Sequence, residues 1–128
     1  MDNDVRIAFI GLGIRGAEAV ERITHIGHSR ITVLCDLSED KVESVSEKLV
    51  AAGCDKPFAC WGEDAWKEAC GRPDVDLVYI CTPWHMHAPQ AIYAMEQGKH
   101  VAVEVPAAMT VADCHRLVET STRTGRQC

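Results

Sequence analysis

The chain has 128 residues, 47% of them hydrophobic, 25% charged and only 5% aromatic. That is a globular composition weighted to small and branched aliphatics, enough for one domain with a buried core. The formal charge of −6 is spread along the chain without a basic block, which argues against a nucleic-acid partner, and no apolar run approaches the ~20 residues of a membrane span.

Val5 to Ile10 is a short, nearly unbroken apolar run, the pattern of a strand buried on both faces. Met1-Asp2-Asn3-Asp4 leads straight into it, so no secretory leader is visible. After a glycine cluster, Ile14, Ala17, Val20 and Ile23 recur at helical spacing to about Ile26. Ile31 to Cys35 reads as a second buried strand. Ser38, followed by Glu39 and Asp40, suits the N-cap of a helix that ends before Gly53. Pro57 to Cys60 is a weak third strand, Glu63 to Cys70 a short helix, and Asp76 to Cys81 a fourth strand. Pro89 suits a first helical residue and Gly98 a stop, which predicts a helix over Gln90 to Gln97. His100 to Glu104 is a fifth strand, and Thr110 with Asp113 resembles a capping box for a helix that runs to Gly125.

This alternation predicts an α/β fold: a Rossmann-type, doubly wound parallel sheet in three αβα layers with right-handed crossovers. The chain stops at Cys128, where another strand would start. Residues 1–128 are therefore expected to form one domain at the front of a larger protein. The seven cysteines contain no CxxC pair, and several fall inside apolar patterns, so small buried thiols are expected rather than a disulfide framework or a zinc site. Reduced thiols fit the cytoplasm, although export of the full-length protein stays open.

Gly11-Leu12-Gly13-Ile14-Arg15-Gly16 is a GxGxxG set between the first strand and the first helix. Its glycines allow a tight turn, close backbone approach to a pyrophosphate, and close packing of helix on strand. The helix N-terminus then faces the phosphates. A lone GxGxxG is weak, but Asp36 closes the second strand 20 residues after Gly16, which is the required context. Its carboxylate suits the two ribose hydroxyls of an adenosine and repels a 2′-phosphate, which predicts NAD over NADP. Arg15 is placed for either the pyrophosphate or a 2′-phosphate. Two more loops should reach the same crevice from the carboxyl ends of strands: Cys81-Thr82-Pro83-Trp84-His85-Met86-His87 and Glu104-Val105-Pro106.

Thr82-Pro83-Trp84-x-x-His87, Gly98-Lys99-His100-Val101 and Glu104-Val105-Pro106 now join the glycine set and Asp36. Together they resemble the Gfo/Idh/MocA family of dinucleotide-dependent oxidoreductases over essentially the whole chain. The family's usual Thr-Pro-Asn-x-x-His and Glu-Lys-Pro motifs are altered here, with Trp84 for the asparagine and Val105 for the lysine. In the family that lysine lies beside the nicotinamide and assists the sugar hydroxyl, whereas a valine has no proton to give or take. Glu-Val-Pro-Ala-Ala with Thr-Pro-Trp-x-x-His looks like one branch, glycoside hydrolase family 109, made up of NAD-dependent α-N-acetylgalactosaminidases.

That resemblance implies a redox-assisted hydrolysis. NAD⁺ oxidises the sugar at C3, the ketone acidifies the C2 proton, the aglycone leaves by elimination, water adds, and the hydride returns. It also implies a C-terminal α/β domain, absent from this chain, that supplies most substrate contacts. This chain by itself is then expected to bind dinucleotide without turnover. Two other functions stay open: a sugar or polyol dehydrogenase whose acid–base group comes from the absent domain, and a non-catalytic dinucleotide-binding module.

Among single residues, His87 is the candidate for a catalytic or cofactor-orienting group, set against a helix-start histidine satisfied by backbone. Glu104 is expected near the nicotinamide ribose. Trp84 suits either the nicotinamide and substrate or ordinary packing. His85 reads as a loop residue, Trp61 and Trp66 as packing residues, and Lys99 as solvated. No metal is expected, because the His85 and His87 pair has no acidic or cysteine partner nearby in sequence. A small sugar or glycoside is the expected partner, and an exposed sheet edge favours a homo-oligomer.

Overall fold

The computed structural model describes residues 3–128. Its elements are β1 (Val5–Ile10), α1 (Ile14–Ile23), β2 (Ser29–Asp36), α2 (Glu39–Ala51), β3 (Phe58–Trp61), α3 (Ala65–Gly71), β4 (Leu77–Ile80), α4 (Trp84–Glu96), β5 (His100–Val103) and α5 (Val111–Thr124). The strands pair in parallel in the order β3-β2-β1-β4-β5. The chain thus winds outward from β1 in one direction and then, after β3, in the other. The order reverses between β1 and β4, so a ligand crevice is expected at the carboxyl ends of these two strands.

The side chains of β1 show how the layers form. Ile7 and Phe9 join Ala19, Val20, Val42, Val45 and Leu49 of α1 and α2 on one face of the sheet. Ala8 and Ile10 join Ala69, Ala91, Met95 and Leu117 of α3, α4 and α5 on the other. In β2 strict alternation breaks: Ile7 pairs with Ile31 but Ala8 pairs with Val33, so Thr32 is left out of the register. This bulge puts Ile31 and Leu34, three residues apart, in the same layer. The Thr32 hydroxyl donates to the Asp74 carbonyl at 2.8 Å.

Local signals behave as their chemistry dictates at two helix starts. Ser38 accepts from the Lys41 amide and Thr110 from the Asp113 amide. α5 ends on Gly125 at φ 69°, a left-handed position that favours glycine.

Two expectations need correction. α4 starts at Trp84, directly after Pro83, and Pro89 lies inside it rather than at its head. Pro89 denies the helix one N–H, but seven α4 residues, His87, Ala88, Gln90, Ala91, Ile92, Ala94 and Met95, are buried, and that packing outweighs one lost bond. Trp84, His85 and His87 therefore sit on the first turn of a helix. Lys99 is not simply solvated. Its Nζ donates to the carbonyls of Arg72 at 2.6 Å and Val75 at 2.8 Å, and partial burial lowers its pKa.

Among the described residues no helix is long and apolar enough to cross a membrane.

Candidate functional site

The turn from β1 to α1 is built around three glycines with different burdens. Gly11 sits at φ 93°, and a Cβ there would stand 2.5 Å from the Cys81 carbonyl oxygen. A Cβ on Gly16 would stand 1.9 Å from the Gly11 carbonyl oxygen. Both are required by the packing of this chain against itself. Gly13 is different: its φ of −68° suits any residue, and nothing lies within 4 Å of where a Cβ would be. Its bareness serves no contact inside the chain and leaves the backbone open to a ligand. Gly13 is also the N-cap of α1, which has no side-chain cap and no acidic residue in its first turn. Uncapped amides at the positive end of a helix dipole fit an anion such as a pyrophosphate. Arg15 and Ile14 flank this opening and are exposed.

Asp36, at the end of β2, faces the same turn. Its Oδ2 accepts from the Leu12 amide at 2.7 Å and its Oδ1 from the Ser38 amide at 2.9 Å. The carboxylate is thereby fixed in orientation, and each oxygen keeps acceptor capacity for a ribose hydroxyl. The sequence reading missed these two amide clamps, since neither backbone donor carries a residue-type signal. It also placed Trp61 among packing residues. Trp61 pairs in register with Asp36 on β3 and is 47% exposed. Leu37 is exposed on Asp36's other flank along the chain. The available signal was positional: Trp61 ends the strand that neighbours the acid. Trp66 does pack, edge-on to Tyr93 at 5.1 Å.

The second half of the crevice comes from the ends of β4 and β5. The Cys81 amide donates to the Ile10 carbonyl at 2.7 Å, which ties this loop to β1 beside Gly11. Burial pushes the Cys81 thiol up to about 12, so it contributes backbone and bulk rather than a thiolate. The Thr82 hydroxyl donates to Gln90 Oε1 at 2.6 Å, fastening the loop to α4. Trp84 and Val105 are 62% and 82% exposed. Glu104 Oε1 accepts from the Tyr79 hydroxyl at 3.3 Å, and its amide donates to the Ile80 carbonyl. Tyr79, stacked on Phe9 at 4.9 Å, has its pKa raised by burial and then by the Glu104 charge.

His87 is 1% exposed, with Nε2 at 2.7 Å from the Thr82 carbonyl oxygen and Nδ1 at 2.8 Å from that of Pro106. It spans the two loops and is closed off from solvent. His85 is exposed, and among the described residues no cluster of three or more His, Cys, Asp or Glu side chains could hold a metal. All seven cysteines are free thiols.

A family model described as an oxidoreductase family with an NAD-binding Rossmann fold matches residues 5–128. The chain is 50% identical over 125 residues to glycosyl hydrolase family 109 protein 1 of Bacteroides thetaiotaomicron, covering 97% of this chain and 27% of that protein. It is 48% identical over 124 residues to a protein of Bacteroides fragilis named alpha-N-acetylgalactosaminidase, covering 29% of it. The crystal structure of an NAD-binding oxidoreductase from Klebsiella pneumoniae superimposes with a TM-score of 0.77 at 26% identity, over 97% of this chain and 33% of that one. The chain thus spans about a third or less of the length of each of these proteins.

Proposed function

The chain belongs to the Gfo/Idh/MocA oxidoreductase family as its NAD-binding Rossmann domain, and from that premise we propose that it is the cofactor-holding part of a redox-assisted, NAD-dependent glycosidase. The observation that carries this reading is Val105. It stands where the family's proton-transferring lysine is expected, in a chain half identical to proteins named for glycoside hydrolase family 109. An ordinary alcohol oxidation loses its usual helper from this segment. Bound NAD supplies a two-electron oxidation and its reversal, so hydrolysis through it leaves no net redox change.

The chain's own residues divide the work by position. The backbone of Gly11, Leu12, Gly13, Ile14 and Gly16, with Arg15, holds the pyrophosphate at the α1 N-terminus. Asp36 accepts the adenosine ribose hydroxyls, with Trp61 and Leu37 as apolar flanks. Cys81, Thr82, Pro83, Trp84 and Glu104 line the nicotinamide half. His87 acts by holding loops together rather than as a catalytic residue. The substrate is a sugar or glycoside bound mainly by chain outside residues 1–128, the assembly is a homo-oligomer, and the free thiols suit the cytoplasm.

The test is an assay of the longer protein that carries this domain, with an aryl N-acetylgalactosaminide in D₂O. Aryl release without NADH accumulation, and deuterium at C2 of the sugar, is the expected result. Steady NADH formation from a free sugar would make the protein a dehydrogenase instead. NAD binding with neither signal would leave a non-catalytic dinucleotide module.

A further inference from the structure

Tyr79 carries one group more than its packing needs. Its ring pairs in register with Phe9 and stacks on it, centroids 4.9 Å apart and planes 16° apart, in the layer that holds Ile7, Leu34 and Leu77. A phenylalanine would fill the same place. The half-buried hydroxyl costs desolvation unless it is bonded. It donates to Glu104 Oε1 at 3.3 Å. The register explains that reach. Tyr79 pairs with Ala102 of β5, and Glu104 lies two residues on, so both point to the same face of the sheet. The Glu104 amide still donates to the Ile80 carbonyl, which carries the pairing through to Glu104. Among the described residues, Tyr79 is the one side-chain donor on the Glu104 carboxylate. Arg22, in the last turn of α1, lies beside the phenol and opposes the rise in its pKa. A cation on one side and an anion on the other polarise the O–H in the same sense, which strengthens its bond to Glu104.

We infer that Tyr79 is a positioning residue: its hydroxyl draws Oε1 of Glu104 onto the sheet and leaves Oε2 to accept a hydroxyl of the nicotinamide-side ribose. A glutamate has several rotatable bonds, and ordering them costs free energy that the ligand would otherwise supply on binding. Tyr79 meets part of that cost within the chain. At 3.3 Å the bond is long for an O–H donor, so Tyr79 steers the carboxylate rather than clamps it. Ligands that reach the end of β5 should feel its loss, and ligands confined to the adenosine half should not. The ribose part of the inference rests on the dinucleotide reading, whereas the contact between Tyr79 and Glu104 does not.

Two measurements decide it. The first is the ¹³Cζ spectrum of the tyrosine-labelled chain at pH 7. Tyr79 and Tyr93 are its only tyrosines, so Tyr79→Phe identifies the Tyr79 line. Glu104→Leu, which removes the acceptor, is expected to move that line and leave the Tyr93 line in place. An unmoved Tyr79 line overturns the contact. The second is calorimetric titration with NAD⁺ and with ADP of the unmodified chain, Tyr79→Phe, Glu104→Leu and the double variant. Tyr79→Phe keeps the ring on Phe9 and loses only the hydroxyl. It is expected to bind NAD⁺ about fivefold more weakly, with ADP unchanged. In the Glu104→Leu background the same change should cost nothing further, because Tyr79 acts through Glu104. Equal losses for both ligands, no loss of NAD⁺ affinity, or fully additive losses in the double variant overturn the positioning role. Failure of the unmodified chain to bind either ligand overturns the dinucleotide reading and the positioning role together, while the spectrum still decides the contact.

Discussion

Gly16 and Gly13 belong to one motif, yet alanine at each should fail in a different way. At Gly16 the new Cβ would stand 1.9 Å from the Gly11 carbonyl oxygen, about 1.5 Å inside the 3.4 Å at which ordinary contacts begin. The obstacle is backbone held on both sides, by Cys35 through the Gly11 amide and by the loop at Cys81. α1 must therefore retreat from the sheet as a body. Overpacking of this kind costs about 3 kcal/mol, offset by about 1 kcal/mol that alanine gains over glycine within a helix. The net of about 2 kcal/mol lowers Tm by about 8 °C in a domain of this size. At Gly13 nothing is met, and the loss of a good N-cap offsets the reduced freedom of the unfolded chain, so Tm should hold within about 2 °C. The same Cβ fills the space above the α1 amides, and NAD⁺ affinity should drop at least about tenfold. Thermal unfolding by circular dichroism and NAD⁺ calorimetry on both variants read the two effects separately. Unchanged NAD⁺ affinity in Gly13→Ala would refute the path of the pyrophosphate over Gly13. An unchanged Tm in Gly16→Ala would refute the packing argument.

Other outcomes follow from the same geometry. Asp36→Ala strips the acceptor from the Leu12 and Ser38 amides and, on the proposed reading, from the ribose hydroxyls. It should cost about 1–3 kcal/mol of stability and abolish the preference for NAD⁺ over NADP⁺ in parallel titrations. Arg6 holds the Asp76 carboxyl down at about 2, so the pair stabilises the fold above the ordinary carboxylate range and stops doing so as pH falls through about 2. Both side chains are about a third exposed, which limits the effect to under about 1 kcal/mol. The Tm gap between wild type and Asp76→Asn should be small at pH 7 and vanish below pH 2. A gap that widens on acidification would contradict the assignment. In a thiol-reagent time course, exposed Cys114 should react first, half-buried Cys81, pushed to about 12, more slowly, and buried Cys70, also pushed to about 12, only on unfolding.

Much of the site was legible because its signals are local. The apolar run of β1, the glycine spacing, the acid ending β2 and the caps at Ser38 and Thr110 each act within a few residues of themselves. Side-chain period and cap chemistry therefore determine where most elements lie and which end of the sheet carries the glycine turn. Packing decided the rest. α4 extends back to Trp84 through Pro89 because the buried face of that helix is stabilised by the sheet, which no local propensity reports. The bulge at Thr32 arises from pairing with β1, and Lys99 finds its carbonyl partners some 25 residues earlier in the chain. The orientation of Asp36 and the burial of His87 belong to the same class. Backbone amides and carbonyls are present at every residue, so which of them meets a given side chain is settled only when distant segments are brought together. The sequence by itself determined the fold and the glycine turn with the acid that faces it. Only the tertiary structure decided how the loops after β4 and β5 are held, because their supports are backbone oxygens that residue types do not encode.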